Sequence, residues 1–172
     1  TWSMGYDPFD QYDVGNYYQR QTTPTRFGPL SDLTSLVNKI STNGLTPIVD
    51  IVMNHMRQQD PVSKTFNYVT HTNAPQFNKT TNDFHPSILG HNDEMLPFHK
   101  TTEFGTDYFD VDQLSPNMRL GLKRWGDWLA DTVGYKAYRF DLTFRMEPWY
   151  LWEWMHYGSM RGSFAAMEYW AL

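Results

Sequence analysis

An alternation of two apolar periods constrains this 172-residue chain more than any other feature. Leu30, Leu33, Val37 and Ile40 recur at helical spacing, with Ser31 as the expected N-cap and Gly44 closing the end. The run Leu45 to Met53 is β-branched and apolar except for Asp50, the pattern of a buried strand, and Pro47 belongs near its start. The order then returns. Ser115-Pro116 reads as N-cap and first helical residue, Met118, Leu122, Trp125 and Leu129 share one face, and Gly134 ends the helix. Ala137 to Asp141 reads as a second buried strand. Pro148 opens a helix with Trp149, Trp152 and Met155 on one side, and residues 164–168 form the last strand. Such alternation predicts an α/β fold, a parallel sheet with crossover helices and functional groups at the carboxyl ends of its strands. His55, Asp141 and Glu168 fall at such ends.

Two segments break the pattern. Residues 1–28 are rich in Tyr, Asp, Gly and Pro and read as an irregular loop. Residues 56–106 are polar and aperiodic, and a loop of that length inside a compact domain is usually functional. Net charge is −5 with no basic run, which argues against a sequence-independent nucleic-acid binder. No apolar stretch is long enough to span a membrane. Zero cysteines exclude disulfides, thiolate metal sites and cysteine nucleophiles. Aromatic residues reach 17%, which fits either core filling or a surface that stacks on sugar rings. The first residue is not Met, so the chain reads as a processed product or a fragment.

Arg139 and Asp141 are two residues apart and share one face of an apolar strand. Opposite charges in such a place must pair or serve chemistry. Glu168 occupies a similar setting, and two strand-end carboxylates suggest acid/base or nucleophilic catalysis. Asp50, inside its strand, is expected to form a buried structural ion pair with Arg139. The histidines at 71, 85, 91 and 99 lack the helical His-x-x-x-His spacing of a zinc site. The Trp-rich helix 148–158 is expected to serve packing. Asn78-Lys79-Thr80 fits a glycosylation sequon.

Five ordered motifs resemble the α-amylase family of glycoside hydrolases (family 13). Gly5 to Gly15 looks like its aromatic loop after the second barrel strand. Asp50-Ile51-Val52-Met53-Asn54-His55 resembles its Asp-x-x-x-Asn-His region. Asp110-Val111-Asp112-Gln113 resembles the acidic motif closing its inserted domain. Tyr138-Arg139-Phe140-Asp141 resembles the nucleophile region, and Met167-Glu168-Tyr169-Trp170 the general-acid region. The resemblance implies part of a (β/α)8 TIM barrel, about strands three to five with their helices. Residues 1–55 and 107–172 would be barrel and 56–106 an inserted loop-rich domain.

The activity implied is retaining, endo-acting hydrolysis of α-1,4-glucosidic bonds in starch-like glucans. The substrate would be an α-glucan, with no nucleic-acid or membrane partner, and a secreted, extracellular location. Asp141 would be the nucleophile, held ionised by Arg139, and Glu168 the general acid in a drier site. Their carboxyl groups would lie about 5–5.5 Å apart. Tyr6 would stack on the sugar and His55 would bond its hydroxyls, with Arg139 also in the substrate site. Asn54, Asp110 and the main-chain carbonyl of Arg145 would be ligands of Ca2+.

Departures from the family pattern include Phe144-Arg145 for a common Lys-His, and Met167 for a common Gly. A barrel of this type needs about 250 residues, so the chain holds roughly half of one, and the family's third catalytic carboxylate falls beyond its last residue. The isolated chain is therefore expected to be inactive. A transglycosylase of the same family and a non-catalytic glucan-binding protein are the alternatives.

Overall fold

The computed structural model describes residues 4–57, 70–72, 74–85 and 108–169. Much of the expected insertion, with His91 and His99, lies outside these residues, as does Trp170. The elements run α1 (Leu30–Thr42), β1 (Ile48–Ile51), β2 (His55–Arg57), β3 (Tyr108–Asp110), α2 (Pro116–Trp128), β4 (Ala137–Phe140), α3 (Pro148–Met155) and β5 (Phe164–Met167). Single 3-10 turns occur at Thr81–Asp83, Thr143–Arg145 and Gly158–Met160, and a π turn at Leu129–Val133 extends α2.

β1, β4 and β5 form a parallel sheet in the order β1-β4-β5. The α/β class and the parallel pairing agree with the alternation in the sequence. Register aligns Asp50, Arg139 and Ala166 in one row, and Ile51, Phe140 and Met167 in the next. Side chains alternate along a strand, so these rows face opposite sides. Val49, Ile51, Tyr138 and Phe140 point into the core beneath the helices. Asp50 and Arg139 point to the other side. β2 and β3 make a separate antiparallel pair, His55 opposite Asp110.

α2 starts as its sequence requires. The Ser115 side chain accepts a hydrogen bond from the Met118 amide, and Pro116 takes a position whose N–H would have no helical partner. Its apolar face, Met118, Leu122, Trp125 and Leu129, is buried, and Gly134 ends the π turn with φ 98°. α1 departs from expectation at its start. Pro29 is the N-cap and Ser31 lies inside the first turn.

α3 departs more. Tyr150, Leu151 and Trp154 form its buried face, while Trp149 and Trp152 are exposed. Of the three residues expected on one side, only Met155 packs against the core. Trp154 meets Tyr138 and Phe140 edge-on, with ring centroids 5.3 and 5.1 Å away, and donates Nε1–H to the Leu122 carbonyl at 3.1 Å. Each aromatic pair adds about 0.5–1.5 kcal/mol beyond area burial. That indole ties α2, α3 and β4 together.

Gly126 is the close point of this packing. A Cβ there would lie 2.2 Å from Met160 Sδ and 2.7 Å from a Trp154 ring carbon. Met160 can move, but the indole is held by its hydrogen bond. Gly126→Ala should lower unfolding free energy by about 1–3 kcal/mol, an overpacking cost read from the urea midpoint at constant slope. An unchanged midpoint would show that the Trp154 contact is loose.

Candidate active site

The site is built where β1, β4 and β5 end. The ladder continues one residue past β4, where the Asp141 amide donates to the Ile51 carbonyl at 2.9 Å. The Glu168 amide donates to the Phe140 carbonyl at 2.9 Å in the same way. Both carboxylates therefore sit on backbone fixed by neighbouring strands. Arg139 lies one pleat below and reaches them both. Its guanidinium donates to Asp141 Oδ1 at 2.8 Å, to Asp50 Oδ1 at 2.7 Å and contacts Glu168 Oε2 at 3.0 Å. Ala166, in register with Arg139, places only a methyl group in that row.

Leu142 completes the strand end in a way the sequence did not signal. It adopts φ 51° and ψ 39°, a left-handed conformation that costs a non-glycine residue about 1–3 kcal/mol. Its amide donates to Glu168 Oε2 at 3.1 Å. Thr143 adds two bonds to the Glu168 carbonyl, from its amide at 3.1 Å and from its hydroxyl. Leucine has no particular preference for this backbone region, so only the fold reveals the role.

Electrostatics differ from the sequence expectation. Desolvation is the largest influence on Asp141 and pushes its carboxyl up to about 6. The Arg139 hydrogen bond pulls the other way without prevailing, and a hydrogen bond with Glu168 raises it further. Arg139 was expected to hold Asp141 well ionised and Glu168 to occupy the drier place. Instead the Asp141 side chain is 8% exposed and that of Glu168 24%. The Glu168 charge, beside that hydrogen bond, also works to raise the Asp141 carboxyl.

Asp50 pairs with Arg139 as the sequence suggested, but in the open. Its side chain is 41% exposed, so the pair is not a buried one. Its second oxygen accepts a hydrogen bond from Tyr6 Oη at 2.9 Å. That bond, followed by the Asp50 charge, raises the Tyr6 phenol above its ordinary value. Tyr6 is exposed and is tied to the Arg139 charge network through this link. His55 lies elsewhere. It is buried in β2, and its Nε2–H donates to the Tyr6 carbonyl at 2.9 Å. Burial drives its imidazole pKa down. That bond to the Tyr6 carbonyl fixes the loop that carries Tyr6.

The residues expected to bind calcium collect around β2. Asn54 is buried, and its Oδ1 has no hydrogen-bond partner among the described residues. Asp110 is buried opposite His55. His55 feels the charges of both Asp110 and Arg145. An amide oxygen, a carboxylate and a main-chain carbonyl are hard donors of the kind calcium takes, and a buried, unmatched amide oxygen is a place for one. They would supply only part of the six to eight oxygens that calcium takes. Among the described residues no cluster of three or more His, Asp or Glu could hold a metal by itself.

A parallel α/β sheet with paired carboxylates at its strand ends is the plan of a glycoside hydrolase. The model of the α-amylase catalytic domain matches residues 6–124, and the chain belongs to that family. The match ends before Asp141 and Glu168. Two similar proteins align across 97% of the chain: the α-amylase of Bacillus licheniformis at 23% identity, and a glucan 1,4-α-maltohexaosidase of Bacillus sp. (strain 707) at 25%. The chain spans 41% of the length of each.

Solved structures agree on the fold. A cyclic α-maltosyl-(1→6)-maltose hydrolase from Arthrobacter globiformis superposes with TM-score 0.64 at 16% identity, over 96% of this chain and 35% of that one. An α-amylase from Geobacillus thermoleovorans, complexed with acarbose, gives 0.59 at 21%, over 93% and 33%.

A carbon-13 titration should show the Asp141 carboxyl with a midpoint near 6. Arg139→Leu removes the cation that favours the carboxylate, so the midpoint should rise further. Raised in the folded state, this group favours folding fully below the unfolded value near 3.8 and loses that contribution as pH climbs through about 6. Asp141→Asn should erase that part of the pH dependence of unfolding. A midpoint at the ordinary carboxylate value would contradict the desolvated placement.

Proposed function

We propose that this chain carries the nucleophile and the acid/base of a retaining, endo-acting α-1,4-glucan hydrolase whose substrates are starch-like α-glucans. One observation supports this best: a single guanidinium, Arg139, bonded to two strand-end carboxylates on adjacent parallel strands, in a chain of the α-amylase family. In this reading β1, β4 and β5 are the third to fifth strands of a (β/α)8 barrel, and β2 and β3 flank the inserted domain. In a retaining pair of this kind the Asp141 and Glu168 carboxyl groups lie about 5–5.5 Å apart.

Asp141 attacks the anomeric carbon while Glu168 gives its proton to the leaving oxygen, so the glycosidic bond breaks as a glycosyl-enzyme ester forms. Glu168, now a carboxylate, takes a proton from water. That water displaces Asp141 and the acid is restored. Arg139 stays cationic throughout, because its hydrogen bonds to Asp50 and Asp141 raise its pKa. It holds both carboxylates in line. Tyr6, tethered by Asp50, offers a flat face to the sugar ring.

Asn54 Oδ1, the Asp110 carboxylate and the Arg145 carbonyl would hold a calcium ion. Its contribution would be cross-linking of the sheet end to the β2–β3 pair, not bond-making. The location would be extracellular, where a polymer too large to cross a membrane is met.

The test requires a protein that contains this chain and spans the length of its relatives. There, Asp141→Asn and Glu168→Gln should each lower kcat on starch by at least about 10³-fold, with binding of maltooligosaccharides kept. Near-normal turnover in Asp141→Asn would sink the assignment. With calcium at about 100 times its Kd, unfolding free energy should rise by about 2.7 kcal/mol. Asn54→Ala should move that rise to higher calcium. Identical melting with calcium and with a chelator would remove calcium from this reading.

A further inference from the structure

A buried charge cluster away from the strand ends takes no part in this chemistry. Asp10, in the aromatic loop, and His71 are in contact at 2.9 Å, with side chains 1% and 0% exposed. Every contact of Asp10 is with a donor. Its Oδ2 accepts from His71 Nε2 and from Gln19 Nε2 at 3.1 Å, and its Oδ1 accepts from the Tyr12 amide at 3.2 Å. The side chain is therefore a carboxylate. His71 faces acceptors on both sides, with Asp10 at Nε2 and the Pro75 carbonyl at Nδ1, also 2.9 Å away. A neutral imidazole has one N–H and would leave one of these contacts without a proton. The Tyr17 ring stacks on the imidazole, with centroids 4.0 Å apart and planes at 3°, an arrangement that suits a cation.

We propose that His71 is a cationic latch, an imidazolium that clasps Asp10 and the Pro75 carbonyl through its two ring N–H groups. It thereby fixes the aromatic loop onto the chain at His71 and Pro75. The same loop is held from its other side by β2, through the Tyr6 carbonyl on His55, the Pro8 carbonyl on the Arg57 amide and an Asp7–Arg57 ion pair at 2.9 Å. The latch makes His71 a positioning residue for Tyr6. That last step alone rests on reading Tyr6 as the sugar platform.

Among the described residues, the groups facing the pair are few. Asp13 is linked through Gln19 Nε2 at 2.5 Å, and Tyr12 feels the Asp10 charge. Lys79 is within the field of Asp10 and of Asp83, and burial pushes its amine down to about 7. The cation in direct contact with Asp10 is His71, at 2.9 Å. Raising the pH removes the imidazolium proton, leaves a buried carboxylate facing a neutral ring, and frees the loop.

Nitrogen-15 NMR of the unmodified protein at pH 7 should show both His71 ring nitrogens protonated. As pH rises, hydrogen exchange of amides 9–17, corrected for the intrinsic rate, should quicken at least tenfold relative to Ile51 and Phe140. His71→Gln keeps one donor to Asp10 but no charge. It should exchange at the faster level at every pH, with no step. A ring with one bare nitrogen at pH 7 overturns the latch, and so does a doubly protonated ring whose loop amides follow those of the sheet. If His71→Gln does not fold, the two measurements on the unmodified protein still decide. None of these readouts needs turnover, so the latch and the glucan reading stand or fall separately.

Discussion

One guanidinium organises the strand ends. Arg139 bonds three carboxylates from three parallel strands, and each would repel the others without it. Like charges this close stay together only around a cation that cannot lose its proton, and arginine's planar fork suits several oxygens at once. The rest of the sheet serves that placement. Tyr138 and Phe140, on either side of Arg139 in sequence, point to the opposite face and anchor β4 against Trp154. Packing on one face thus fixes a charged side chain on the other.

The aromatic loop depends on the same centre. Asp50 spends one oxygen on Arg139 and the other on Tyr6, so an exposed aromatic ring is tethered to the charge network. Behind that ring the backbone is pinned by β2, and four residues on by His71. A loop with no regular secondary structure is held by side-chain and backbone bonds at successive points, which is how irregular chain becomes a defined surface.

Much of this was legible in the sequence because local rules and the fold agree there. Ser115-Pro116 and the spacing of Met118, Leu122 and Trp125 give α2 its start and its buried face. The two-residue separation of Arg139 and Asp141 gives their shared side. What was not legible came from partners distant in sequence. Whether Trp152 or Trp154 faces inward depends on how α3 rolls onto the sheet, and both rolls bury aromatic surface. The desolvation of Asp141 depends on neighbours that no local pattern names. Asp10 reads as one of several loop aspartates until residues 61 positions later bring His71 to it. Leu142 breaks the propensity rule outright, as residues at functional sites often do.

The parallel register limits how such a chain can vary. Asp141 and Glu168 meet because β4 and β5 pair Phe140 with Met167, and side chains alternate faces residue by residue. Deleting one residue inside β5 would turn the carboxylate after it toward the helices, leaving Arg139 with one oxygen fewer and the core with a charge. The stretch between α3 and β5 carries no such alternation. Drift in length is therefore intolerable within the strands, so indels between relatives should spare 164–168.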